Sequence, residues 1–191
     1  MPGNPVCLVT GAAGFIASRL VHRLVGLGWS VVGADRVTVP PQRRTPGAEY
    51  TQIDLCELGD TSALVADVRP QIVFHLAQSL VPTSITEPYP TVLDNVLSTA
   101  ALLEAIRLSS DATRVVHASS AAVYGADPGS HAYTESSLAS ISPNLYGPSK
   151  IAAENLAQGY VATYGMDVRV CRFMNIYGPG DTSSATPRSR G

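Results

Sequence analysis

Tyr146 and Lys150 are the two residues whose types and spacing are best suited to proton transfer. They lie four positions apart in a segment that predicts a helix over 145–164, so both side chains are expected on one helical face. A free tyrosine has a pKa of about 10 and is a poor base, but a nearby ammonium favours its phenolate. Pro148 is tolerated between them because the first amides of a helix have no acceptor within it. The pair predicts a tyrosine that takes a proton from an alcohol.

Ser120 is the third candidate, because it ends the segment Arg114–Ser120, which predicts a buried strand. Its hydroxyl would hold a substrate hydroxyl between its own oxygen and that of Tyr146. The Y-x-x-x-K spacing alone is common, and its weight comes from its place after a strand that ends in two serines. A nucleophilic role for the serines is disfavoured, because residues 118–122 lack the G-x-S-x-G pattern of a nucleophile elbow.

A glycine-rich turn at Thr10–Ala17 follows the apolar run Pro5–Val9 and precedes a helical pattern over 16–27. Gly11 can adopt a backbone angle that other residues resist, and Gly14 allows close approach to the helix start. The first amides of that helix have no partner inside it and favour an anion. Its spacing, G-x-x-G-x-x-A, differs from the common G-x-G-x-x-G. A strand, a bare turn and a helix N-terminus together predict a site for a dinucleotide pyrophosphate.

Asp35 supplies a second, independent signal, because it ends the predicted strand over 30–34. A carboxylate at this place accepts the hydroxyls of an adenosine ribose and repels a 2′-phosphate, which favours NAD over NADP. The adjacent Arg36 weakens that preference. An ordinary strand–turn–helix with a surface aspartate is the alternative interpretation.

Short apolar runs alternate with helical patterns along the whole chain. This alternation predicts an α/β fold with a doubly wound, parallel, Rossmann-type sheet of order 3-2-1-4-5-6 and helices on both faces. Ligands then bind at the carboxyl ends of the strands, where Asp35, Asp54, Ala77, Ser120 and Asn175 fall. The predicted strands are 5–9, 30–34, 49–53, 71–77, 114–120 and 167–173; the predicted helices are 16–27, 60–68 (capped by Asp60), 91–108 and 145–164; the predicted loops are 37–47, 80–90 and 124–143.

Composition narrows the function classes. The 191 residues carry a formal net charge of −2, and no basic patch indicates nucleic-acid binding. Neither a membrane-spanning run nor a signal peptide is recognisable, so a cytoplasmic location is expected. Cys7, Cys56 and Cys171 are odd in number and scattered, as expected of free thiols in a reducing compartment. The histidines have no metal-ligand spacing, and no metal is predicted.

Several segments occur together in one order: Thr10–Ala17 with Asp35, Asp54-Leu55, His75–Ala77, Asn95-Val96, Ser119-Ser120 with Val123–Gly125, Tyr146–Lys150 and Arg172–Gly180. In these segments, which span nearly the whole chain, the sequence resembles the extended short-chain dehydrogenase/reductases. Within them, it resembles specifically the NAD-dependent nucleotide-sugar epimerase/dehydratase group.

The resemblance implies hydride transfer between NAD and a secondary alcohol, that of a nucleotide sugar or a related metabolite. It implies Ser120, Tyr146 and Lys150 as the catalytic set, Ser120 and Asn175 as substrate contacts, and a homodimer through the helices 91–108 and 145–164. The residues that it implies for the cofactor are Gly11, Ala13, Gly14, Phe15, Ile16, Asp35, Arg36, Asp54, Leu55, Leu76, Ala77, Gln78, Asn95, Ser119, Tyr146, Lys150 and Phe173.

Three features depart from the family pattern. Ala17 stands where glycine is usual, which is a small change. Ala121-Ala122 replaces the Asp-Glu pair of the 4,6-dehydratases, so an epimerase or simple oxidoreductase is preferred. The sequence also stops at Gly191, which predicts an NAD-binding domain over 1–181, a disordered polar tail over 182–191, and no substrate-binding C-terminal domain. It is then a fragment, a naturally short enzyme, or a Rossmann scaffold used for non-redox binding or cyclisation.

Overall fold

The structure is a computed structural model that describes residues 3–109, 112–125, 132–137 and 142–181. Six parallel strands form one sheet in the order β3-β2-β1-β4-β5-β6, which confirms the predicted order. The strands are β1 (Val6–Thr10), β2 (Ser30–Asp35), β3 (Ala48–Gln52), β4 (Ile72–His75), β5 (Arg114–Ser120) and β6 (Val168–Phe173). The helices are α1 (Phe15–Gly26), α2 (Leu58–Val68), α3 (Val81–Thr86), α4 (Pro88–Ser109) and α5 (Tyr146–Tyr164).

Both faces of the sheet are covered, which explains why the central strands β1 and β4 are mostly apolar. On one face, Leu8 and Val73 pack with residues of α2, α4 and α5. On the other face, Cys7 and Val9 pack against α1, where Val21 is fully buried. Adjacent residues of β1 therefore enter different cores, as expected of a strand in a doubly wound parallel sheet. The predicted helices on both faces are confirmed.

The segment 80–90, predicted as a loop, is instead mostly helical. It contains α3, and α4 begins at Pro88, three residues before the predicted start. Pro82 and Pro88 lie in the first turns of these helices, where a missing amide costs no intrahelical hydrogen bond. The prediction was wrong because prolines that begin helices were counted as residues that interrupt them.

The predicted cap of α2 is also wrong. The helix begins at Leu58, so Asp60 lies within its first turn, and Glu57 occupies the capping position without a side-chain hydrogen bond. An aspartate in the first turn still interacts favourably with the positive end of the helix dipole.

The segment after β2, predicted as a loop over 37–47, contains only a short 3₁₀ helix, Pro41–Arg43. A second 3₁₀ helix, Ala121–Tyr124, follows β5 directly. Within the described residues, no helix is long and apolar enough to span a membrane, and no cluster of three metal-ligating side chains occurs. All three cysteines are free thiols, and Cys7 is buried. The predicted tail over 182–191 lies outside the described residues.

Candidate active site

The glycine-rich turn lies at the carboxyl end of β1 and packs closely against the backbone that follows β4. Gly11 has a φ of +70°, and a Cβ placed on it would lie 2.7 Å from the Leu76 carbonyl oxygen and 2.8 Å from the Ala77 nitrogen. The Thr10 hydroxyl accepts hydrogen bonds from the Leu76 and Ala77 amides, both at 3.1 Å. Only glycine fits at position 11, because both the backbone angle and the space exclude a side chain.

His75 lies beneath this turn in a hydrogen-bond network whose donors can be assigned. Because the Thr10 hydroxyl accepts two amides, its own proton is directed to His75 Nδ1, at 2.9 Å. His75 Nε2 lies 3.2 Å from Thr99 Oγ1, which donates onward to the Asn95 carbonyl oxygen at 2.9 Å. Burial lowers the pKa of His75 to about 3, so the ring is neutral and protonated on Nε2. His75 therefore connects β1, β4 and α4 and is not a general base.

Asp35 is anchored to the glycine-rich turn by its carboxylate. Oδ2 accepts the Ala13 amide at 2.9 Å, and Oδ1 accepts the Val37 amide at 3.1 Å. A carboxylate has about four acceptor positions, so two are left for hydroxyl groups of a ligand. The prediction that Asp35 lies at the tip of β2 beside the turn is confirmed by these contacts.

The start of α1 adds unpaired backbone amides beside the glycine-rich turn and Asp35. Gly14 caps the helix without a side-chain hydrogen bond, so the first amides, including those of Phe15 and Ile16, have no side-chain partner. A Cβ on Gly14 would lie 2.9 Å from the Gly11 carbonyl oxygen. A turn without side chains, free amides and an anchored carboxylate fit the pyrophosphate and ribose of a dinucleotide.

The other residues implied for the cofactor gather along the same edge of the sheet. Asp54 and Leu55 follow β3, Leu76–Gln78 follow β4, Ser119 lies in β5 and Phe173 ends β6. Asn95 is buried, and its amide is occupied by Ser79 and by the Ser149 hydroxyl. Asn175, the implied substrate contact, is exposed just after β6. Their contacts with a cofactor or substrate stay predictions.

Ser120 and Tyr146 are brought together by β5 and the first turn of α5. The phenol of Tyr146 is buried, with 8% of the residue exposed, and the Ser120 hydroxyl lies beside it. Burial raises the pKa of Tyr146, and the interaction with Ser120 only partly opposes that effect. The expected lowering of this pKa by Lys150 is therefore not seen, because the cost of burying a phenolate dominates. In this state the phenol is protonated.

Lys150 is the only lysine in the sequence, and it is fully buried between α5 and β5. Its Nζ donates to the Ala118 carbonyl oxygen at 2.5 Å, and Gln78 donates to the same oxygen. Burial lowers the pKa of Lys150 to about 7, against a smaller opposing effect of Glu154 on the same helix. The nearby rings of His75 and His117 are neutral, because burial holds their pKa values at about 3 and about 2.

Sequence reasoning missed the ion pair between Glu154 and Arg172. Glu154 is buried, and its carboxylate accepts Arg172 Nε at 3.0 Å and Nη2 at 2.7 Å. Burial raises the pKa of Glu154, but the hydrogen bonds from Arg172 and Ser119 and the charges of Arg172 and Lys150 together outweigh it and hold that pKa below its usual value. Arg172 Nη1 also donates to the Tyr124 hydroxyl at 3.2 Å. The pair fixes α5 against β6, and the only sequence signal for it was a glutamate four residues after Lys150.

We expect the free energy of unfolding to rise with pH because of Lys150. Its pKa is about 7 in the folded chain and 10.5 ordinarily, so the unfolded chain binds more protons between these values. Stability should increase by about 1–3 kcal/mol more between pH 7 and pH 9 than in Lys150→Met. Urea unfolding at the two pH values checks the difference. Magnetic resonance of isotope-labelled lysine checks that Lys150 causes the difference, since the one lysine signal should titrate with a midpoint near pH 7. A midpoint near pH 10 would contradict the expectation.

Comparison with known proteins places this geometry in a family. The model of the NAD dependent epimerase/dehydratase family matches residues 7–190. The chain is 36% identical over 181 residues to a UDP-glucose 4-epimerase of Mycolicibacterium smegmatis, covering 90% of this chain and 56% of that protein. It is 35% identical over 186 residues to a dTDP-glucose 4,6-dehydratase of Streptomyces antibioticus, and the match covers 90% of this chain and 53% of that protein.

Among solved structures, MoeE5 in complex with UDP-glucose and NAD is 36% identical, with a TM-score of 0.79, covering 94% of this chain and 56% of that one. The chain thus spans about half the length of the proteins that it matches. The bare turn, the anchored Asp35 and the sheet order agree with a match that covers nearly every residue. The chain belongs to the NAD-dependent epimerase/dehydratase family.

Proposed function

We propose that the chain forms the NAD-binding and proton-transferring part of a nucleotide-sugar epimerase or oxidoreductase. The observation that carries the proposal is the placing of Ser120 and Tyr146 at the same sheet edge as the turn over 10–17. When bound, NAD supplies a hydride acceptor and a positive charge that favours the phenolate of Tyr146. The names of the relatives support a sugar nucleotide as the substrate class.

Each of the three catalytic candidates has a separate role in this proposal. The Ser120 hydroxyl holds the oxygen of the alcohol beside the phenol. Tyr146 Oη takes the alcohol proton during oxidation and returns a proton during reduction. Lys150 is held by the Ala118 carbonyl oxygen one helical turn from Tyr146, so it orients the start of α5. Its proposed second role is to supply a proton or a positive charge to the site.

Epimerisation or simple oxidation is favoured over loss of water. Ala121 and Ala122 begin the 3₁₀ helix after β5, and Ser120 Oγ accepts the Ala122 amide at 3.2 Å. Methyl side chains at these two positions provide neither an acid nor a base for elimination. This supports the epimerase among the two activities that the relatives' names print.

The direct test is incubation of the chain with NAD and UDP-glucose, followed by chromatographic separation of the UDP-hexoses. We expect NAD to bind in calorimetry and UDP-glucose to be converted to its C4 epimer or oxidised. Binding of NAD without any change in the sugar would contradict turnover by this chain and favour a non-redox role for it. Failure of NAD to bind would contradict the cofactor site as well.

We also propose that two copies associate through α4 and α5, which pack side by side. Large apolar side chains on these helices are exposed, including Leu97 at 45% and Tyr164 at 55%. Burial of such a surface in a second copy removes apolar area from water. Sedimentation velocity should give the mass of a dimer at micromolar concentration, and a monomer would contradict the proposal.

A further inference from the structure

Arg36, the residue after the ribose-binding candidate Asp35, is held by two partners on the far side of the glycine-rich turn. Its Nη2 donates to Asp94 Oδ2 on α4 at 2.5 Å and to the Ser79 hydroxyl at 3.2 Å. Ser79 in turn donates to Asp94 Oδ2 at 2.6 Å. The three groups therefore form a closed triangle in which the guanidinium faces α4.

The anchor of this triangle is rigid. Ser79 donates its amide to Asn95 Oδ1 at 2.8 Å, and Asn95 Nδ2 donates back to the Ser79 carbonyl oxygen at 3.3 Å. The same Nδ2 donates to Ser149 Oγ in α5 at 2.9 Å. Because β2 and β4 lie on either side of β1, the link from Arg36 to Ser79 crosses the sheet edge where the turn begins.

The negative charges around Arg36 also stabilise its guanidinium in this position. The Asp94 hydrogen bond raises the pKa of Arg36, and the charge of Asp54 adds to that effect. Asp35 is the last residue of β2 and immediately precedes Arg36. Arginine near this aspartate is the group that pairs with the 2′-phosphate in proteins that accept NADP. Here that guanidinium is already paired with the Asp94 carboxylate, although its side chain is 51% exposed.

We infer that Asp94 is a specificity-determining residue for the dinucleotide. By holding Arg36 against α4, Asp94 prevents the guanidinium from pairing with a 2′-phosphate. The Asp35 carboxylate alone then sets the preference between the two dinucleotides, and NADP is rejected. The inference rests on the assignment of the cofactor site to the turn over 10–17. It predicts, against the expectation from the sequence, that Arg36 does not weaken the preference for NAD.

Calorimetric binding of NAD and of NADP to the same chain tests this inference. In Asp94→Ala, we expect the ratio of the NADP Kd to the NAD Kd to fall about tenfold, because the guanidinium becomes free. Asp94→Asn, which removes the charge and keeps the shape, should move the ratio in the same direction. The double variant Arg36→Ala/Asp94→Ala should return the ratio toward that of the unaltered chain. Asp67→Asn, an exposed change in the last turn of α2, controls for general charge.

Each result is decisive. If the ratio of the two Kd values is unchanged in both Asp94 variants, the inference about Asp94 is overturned. NAD binding in the same variants would still support the cofactor site. A ratio that falls and stays low in the double variant also overturns it, since the gain then comes from lost repulsion or from Arg43, which donates to the Ala13 carbonyl oxygen. Equal binding of NAD and NADP by the unaltered chain overturns it too. Binding of neither nucleotide removes the cofactor assignment itself.

Discussion

Tyr146→Phe should lower kcat on a nucleotide sugar by about 10²–10⁴-fold, the usual contribution of a positioned proton donor or acceptor. The substitution removes only the phenolic oxygen, which lies beside the Ser120 hydroxyl, and it leaves the buried ring in place. The Kd for NAD should therefore change little, because the groups that fit the pyrophosphate and ribose are contributed by β1, α1 and β2. Steady-state kinetics with calorimetry separates the two quantities.

Tyr164→Phe is the matched control. It removes the same oxygen at the other end of the same helix, where the residue is 55% exposed and its ring faces Arg107. We expect it to leave kcat unaltered. If Tyr146→Phe keeps the turnover of the control, the phenol does not carry the proton, and the proposed roles of Ser120 and Tyr146 fail together.

Gly11→Ala should both destabilise the chain and abolish measurable NAD binding. At a φ of +70°, any L side chain is strained by about 1–2 kcal/mol. The added Cβ would also lie 2.7 Å from the Leu76 carbonyl oxygen, so the backbone of one strand end must move, at a further cost of about 1–3 kcal/mol. That movement displaces the Thr10 contacts and the amides that are expected to face a pyrophosphate. Urea unfolding and calorimetry measure the two effects.

Gly165→Ala isolates the steric part of this effect. Gly165 ends α5 with a φ of +69°, and a Cβ placed on it meets nothing within 4 Å. The control therefore includes the backbone strain without the close approach, and it should cost about 1–2 kcal/mol without changing NAD affinity. Equal losses of stability in the two variants would show that the contact between Gly11 and β4 is not tight.

The fold was predictable from local patterns. Parallel strands covered on both faces are rich in apolar residues, and Arg114–Ser120 was predicted with the bounds that the structure shows. The alternation of strands and helices, with right-handed crossovers, limited the sheet to the order that is observed. Predictions failed where one residue type occurs in two kinds of structure. Proline interrupts a helix interior but is tolerated in a first turn, which is where Pro82 and Pro88 lie.

The sequence by itself determined the bare turn, the aspartate that ends β2, and the order in which Ser120, Tyr146 and Lys150 occur, because each depends on residue type and short spacing. Only the tertiary structure decided the partners of Arg36, the tautomer of His75 and the pairing of Glu154 with Arg172. These contacts join residues on different elements. Burial also changes the pKa values of the side chains involved, and burial cannot be read from a local sequence pattern. For that reason the chemistry of Lys150 and Tyr146 could be proposed from the sequence, but their protonation states could not.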